Sequence, residues 1–111
     1  MIHQYIKDES GKIVDITVDG KPVKRGSMRG FKKAQNCSYF KILNAPRTFE
    51  NPFSGVEVYL EPLEATIYNF CWNWYQRYEA GMTGDNEIQM YDDMKYFLLE
   101  LNSQAYRDLI D

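Results

Sequence analysis

Histidine is almost missing from this chain: His3 is the only one among 111 residues. That removes His-based triads, His-ligated zinc and imidazole general-base chemistry. Cysteine is nearly as scarce. Cys37 and Cys71 make at most one pair, too few for a disulfide scaffold, and their spacing fits no zinc pattern. Both read as free thiols acting as small hydrophobes. Long apolar runs are missing too. Tyr96-Phe97-Leu98-Leu99 is as long as they get, whereas a spanning helix needs about 20 residues. Met1 to Lys7 lack the apolar stretch of a secretion signal. The expectation is a soluble, cytoplasmic protein with no membrane partner. Gly26 and Gly30 lack phosphate-loop spacing, and no lysine-serine pair completes such a loop. Asp92 and Asp93 are adjacent, so on a helix they diverge by about 100° and cannot share an ion. Asp85-Asn86-Glu87 lacks the spacing of a calcium loop. No metal, cofactor or catalytic residue is therefore assigned, and the chain reads as non-enzymatic.

What is present is a core and a divided charge. Leu, Ile, Val and Phe total 26 residues, above the compositional range of disorder. A single domain of this mass leaves roughly 6,400 Å² of surface exposed on folding and buries about two thirds. The net charge of -3 conceals a split. Residues 1–50 carry ten Lys or Arg against five Asp or Glu; residues 51–111 carry three against eleven.

The first part reads as β. Lys12 to Val18 alternates and is β-branched. Asp19-Gly20 is the favoured two-residue hairpin turn, with positive φ at both central positions. Lys21 to Arg25 is the return strand, placed at an edge by Pro22. Ile2 to Lys7, before the turn at Asp8 to Gly11, completes a three-stranded meander. Residues 26–44 read as a short helix or loop, with Ser27 as a cap, and then a strand at Ser38 to Leu43. Residues 44–55 read as loop, because Asn44-Ala45-Pro46 and Asn51-Pro52-Phe53-Ser54-Gly55 are turn chemistry. Val56 to Leu60 alternates as a strand.

Helices follow. Glu61-Pro62 opens one, with Pro at the first helical position, and Gly81 closes it. Leu63, Ile67, Phe70, Cys71, Trp74 and Tyr78 share a face about 100° wide. Residues 86–101, capped by Asp85, form a second helix with Met90, Tyr91, Met94, Phe97, Leu98 and Leu101 on one side. Ser103 caps a short third helix that buries Ala105, Tyr106, Leu109 and Ile110. The order of strands then helices predicts an α+β fold. It is one domain, residues 1–111, mainly β to residue 60 and mainly α from 61. A small antiparallel N-terminal sheet carries two to three C-terminal helices.

Two constellations stand out. Tyr68, Trp72 and Tyr75 give the first helix a second aromatic face. Tyr and Trp are enriched at interfaces, so this face is expected to make a homodimer or bind another protein. Packing under the 44–55 loop or the last helix, or a small aromatic pocket, are its other readings. The second constellation is the acid-free run from Lys21 to Phe49. It holds Lys21, Lys24, Arg25, Arg29, Lys32, Lys33, Lys41 and Arg47. Cations that track phosphates and aromatics that stack on bases are the parts of a strand binder. Lys24, Arg25, Arg29, Lys32 and Lys33 would contact a nucleic acid or other polyanion, with Phe31 or Tyr39 stacking. With a pI near 5.1, solvation or pairing with the acidic half is the first reading of that run.

Asn51-Pro52-Phe53-Ser54-Gly55 with Leu60, Pro62 and Tyr68 resembles a stretch in small uncharacterised proteins of marine tailed phages. So does the ending Asn102-Ser103, Ala105, Tyr106, Leu109 and Asp111. The likeness covers roughly the last 60 residues. It implies a small viral accessory protein and supplies no activity or site. The function expected is that of a protein acting through protein contacts, as a homo-oligomer, with nucleic-acid binding as the alternative.

Overall fold

A computed structural model describes residues 1–111, the side chain of Asn86 excepted. It is α+β. Strands β1 (His3–Lys7), β2 (Ile13–Val18) and β3 (Lys21–Pro22) form an antiparallel meander in that order. Helix α1 (Arg25–Ala34) follows, then a second antiparallel pair, β4 (Arg47–Glu50) and β5 (Glu57–Leu60). Helices α2 (Pro62–Glu79), α3 (Ile88–Leu101) and α4 (Ser103–Leu109) complete the chain, with a 3-10 turn at Asp85–Glu87 ahead of α3. The accessible surface of 6612 Å² is close to the roughly 6,400 Å² set by chain mass.

The meander is built by its turns. Asp19 and Gly20 take φ of 51° and 83°, which suits the right-handed twist of the flanking strands. The Asp8 carboxylate accepts from Ser10 N, Ser10 Oγ and Lys12 N at 2.6–3.0 Å, and Gly11 takes a φ of 88°. Ile13 and Ile16 face the core. Pro22 stands on the outer strand, and β3 is only two residues long.

Three expectations are corrected. Of the helix or loop read after Gly26 the helix forms, over residues 25–34, but its cap position is Lys24 rather than Ser27, which is buried within the first turn. No strand forms at 38–43. The Leu43 N–H instead donates to Thr66 Oγ1 at 3.0 Å, while Tyr39, Phe40, Ile42 and Leu43 still pack against the core. Within the supposed loop 44–55, β4 forms and pairs with β5, Phe49 opposite Val58.

Helix α2 begins at Pro62, with Glu64 Oε1 accepting from the Glu61 N–H at 3.0 Å. It ends where Gly81 takes a φ of 73° and the Met82 N–H bonds Arg77 O at 2.8 Å. Leu63, Ile67, Phe70, Cys71 and Trp74 are buried, while Tyr78 is half exposed and stacked on Trp74. Helix α3 packs on α1, α2 and α4, and buries Met90, Met94, Phe97 and Leu98. Its cap and that of α4 differ from expectation. Glu87, not Asp85, stands at the N-cap of α3, and Gly84 precedes the 3-10 turn. Asn102, not Ser103, caps α4, its Oδ1 accepting from the Ala105 N–H at 3.0 Å. No helix among the described residues is long and apolar enough to cross a membrane.

Candidate functional site

The second face of α2 opens onto a groove of about 150 Å³. Tyr68, Cys71, Trp72 and Tyr75 enter it at helical spacings of three and four. Tyr91 of α3 joins from the side, and Leu109 and Ile110 close the α4 end. Trp72 and Tyr75 stack at 5.9 Å and stay half exposed. Tyr68 is turned inward, 4% exposed, edge-on to Phe49 of β4 at 4.9 Å. Of the three residues expected at an interface, Tyr68 therefore forms the floor, and only Trp72 and Tyr75 present surface. Burial pushes the Cys71 thiol up to about 12, so it stays neutral here. Glu79 beside Tyr75 raises that phenol.

Phe53 stands at the mouth of this groove, 82% exposed. Its position is held by Asn51. The Asn51 Oδ1 accepts from Phe53 N at 2.8 Å and Ser54 N at 3.2 Å. The Asn51 Nδ2 donates to the last turn of α4, Asp108 O, at 2.8 Å. Gly55, at a φ of 77°, closes the turn with its N–H on Asn51 O at 2.8 Å. The turn is thus fixed to the body of the protein, and it presents an apolar ring to solvent. The sequence reading missed Phe53. Its signal was a bulky apolar residue inside turn chemistry, where nothing in the turn itself requires one.

The basic segment makes a separate groove of about 580 Å³ between α1 and the meander. Arg25, Arg29, Lys32 and Lys33 line it from α1, and Val14, Val23 and Met28 supply apolar wall. Asp15 is the one acid on it. Arg29 is braced from behind: its Nε and Nη2 each bond the Asp93 carboxylate at 2.8 Å. Lys24 lies at the helix start, outside this lining.

The two stacking candidates do not join it. Phe31 is fully buried, packed on Tyr5, Phe40 and Phe97. Tyr39 stacks on Phe70 at 5.4 Å, and the Arg77 guanidinium lies 4.3 Å over its ring. Neither ring is free to take a base, which corrects that part of the expectation. Two acids of α3 are held within the chain: Asp93 is buried on Arg29, and Glu100 accepts from Ser27 Oγ at 2.7 Å and Lys24 N at 3.0 Å.

Among the described residues no three His, Cys, Asp or Glu side chains converge to hold a metal ion. No family model matches the chain, and no curated protein or solved structure is similar to it.

Proposed function

We propose that this chain is a non-enzymatic interaction protein that works as a homodimer, each copy seating Phe53 in the aromatic groove of the other. The observation that carries this is a ring held out in water beside a hole of its own size. A cavity of about 150 Å³ accepts one benzene ring, and the groove has that volume. Knob and hole lie side by side on one surface, so a single two-fold axis beside them satisfies both contacts at once, as an isologous interface requires.

Burying two phenyl rings contributes about 3–6 kcal/mol. A micromolar complex needs about 8 kcal/mol, so the rims formed by Trp72 and Tyr75 must be covered too. Non-enzymatic action is supported by His3, which sits on β1 edge-on to Tyr5 at 4.9 Å, and by the neutral, buried Cys71. Free thiols at Cys37 and Cys71 suit a reducing cytoplasm. The resemblance to phage proteins fits an accessory protein of a virus, acting in the infected cell.

Sedimentation equilibrium tests the proposal. The wild type is expected at twice its 13.1 kDa mass. Phe53→Ala is expected at monomer mass with an unchanged circular dichroism spectrum, because that side chain supports nothing in its own chain. A wild type that stays monomeric at high micromolar concentration overturns it.

A further inference from the structure

The groove between α1 and the meander shares no residue with the aromatic groove, and its charge is not explained by the fold. If the basic half served only to attract the acidic half, its cations would meet carboxylates within the chain. They do not. Among the described residues Arg29 is the single member of the 21–47 run in a salt bridge. Asp15, the one acid on the groove, accepts from the Ile16 N–H and forms no salt bridge with the cations; Glu100 is taken up by Ser27 Oγ and the Lys24 N–H, and Asp92 by Lys95. Arg25, Lys32 and Lys33 remain exposed and unpaired on the groove wall.

They are also rigidly mounted. α1 is pressed so closely on α3 that a Cβ at Gly30 would lie 2.4 Å from the Asp93 Cβ. The Arg29 fork and the Glu100 bonds fix the same helix along its length. A row of cations at fixed spacing is a reader of repeated negative charge.

We propose that this groove binds the phosphodiester backbone of a nucleic acid without reading its sequence. From Arg25 to Lys32 is seven helical residues, about 10 Å at 1.5 Å each. Three cations of the row, Arg25, Lys32 and Lys33, are free of carboxylates, so about three phosphate contacts are expected, one for each. With Phe31 and Tyr39 packed inside, no ring stacks on a base. The Val14, Val23 and Met28 wall offers no donor pattern to distinguish one base from another.

The test is fluorescence anisotropy with a labelled mixed-sequence single strand and a duplex of equal length, from about 50 to 200 mM salt. For three contacts, log affinity is expected to fall against log salt with a slope of about -2 on the single strand and about -3 on the duplex. Changing the base sequence should leave the affinity unaltered. The double substitution Lys32→Glu and Lys33→Glu should flatten the slope by about 1 for each lost contact. Lys7→Glu with Arg107→Glu, two positions outside this groove, makes the same change in net charge and should alter little. The proposal is overturned if neither oligonucleotide binds at about 50 mM salt, or if the Lys32 and Lys33 variant loses no more than that control. Binding of phosphatidylserine vesicles without oligonucleotide binding also overturns it. Phe53→Ala should leave the anisotropy curve in place, which separates this groove from the dimer surface.

Discussion

Gly26 and Gly30 lie one turn apart on α1, and the same substitution has opposite signs at the two positions. At Gly26 an added Cβ would meet nothing closer than 3.6 Å, the flexible Arg29 Nη2. Alanine there should stabilise by up to about 1 kcal/mol, since a helical glycine costs about that much. At Gly30 the added Cβ would lie 2.4 Å from the Asp93 Cβ and 3.3 Å from the backbone of Asp93 and Met94. None of those is the far end of a flexible chain. Overpacking of this kind costs about 1–3 kcal/mol, more than the propensity gain. Urea unfolding should therefore show a raised midpoint for Gly26→Ala and a lowered one for Gly30→Ala. If both rise, α1 is not seated on α3 as described. The ion pair beside Gly30 is a weaker contributor than its geometry suggests. The Arg29 side chain is half in water while Asp93 is nearly buried, so solvent screens the attraction. Removing Arg29 alone would leave a buried carboxylate with no partner, the costlier outcome.

The hairpin β4–β5 shows which parts of an element the sequence made legible. β5 was visible from alternation, and its partner was not, because Arg47–Glu50, set between Pro46 and Pro52, holds a single apolar residue, Phe49. Turn chemistry at 51–55 was read correctly, but as the end of a loop instead of the link between two strands. At Ser38 to Leu43 the error ran the other way. The apolar content suggested a strand, and Tyr39, Phe40, Ile42 and Leu43 are partly buried against the core, yet this segment pairs with no strand. The site divides similarly. Trp72 and Tyr75 were legible from a helical wheel. Tyr68 was legible only through the other reading of that face, packing under residues 44–55, because a wheel gives a face and cannot choose its cover; Phe49 covers it. Phe53 had no period to reveal it. The hairpin also supplies a prediction. Asn51→Ala deletes three hydrogen bonds, each worth about 0.5–1.5 kcal/mol net. The exposed pair returns partly to water, so a loss of about 1–2 kcal/mol in thermal or urea unfolding is expected. Dimer affinity should weaken as well, since the ring of Phe53 would no longer be pre-positioned. Weaker self-association than Phe53→Ala produces, or none of the stability loss, would count against the clamp.

At the scale of the whole molecule, the uneven charge is resolved only in part within the chain, and the acid-base behaviour is governed by burial. The Cys71 thiol stays protonated to about 12 when folded, against 9.0 for an ordinary cysteine. Burial raises the phenols of Tyr39 and Tyr91 as well. For each, the folded value lies above the unfolded one. Their stabilisation is complete below the ordinary values and lost as pH rises through the interval above 9, where the unfolded chain sheds protons first. The urea midpoint should fall between neutral pH and about pH 10.5, and Cys71 should resist alkylation until denaturant is added. A flat profile would mean that these groups are more open than described. The contact from Glu100 to the start of α1 bears on how the molecule comes into being. α1 has no acid in its own first turn and no side-chain cap of its own. Its closing carboxylate comes from a residue 76 positions further along. During synthesis, the helix leaves the ribosome long before that carboxylate exists. The start of α1 must wait, without its carboxylate, until Glu100 has been added.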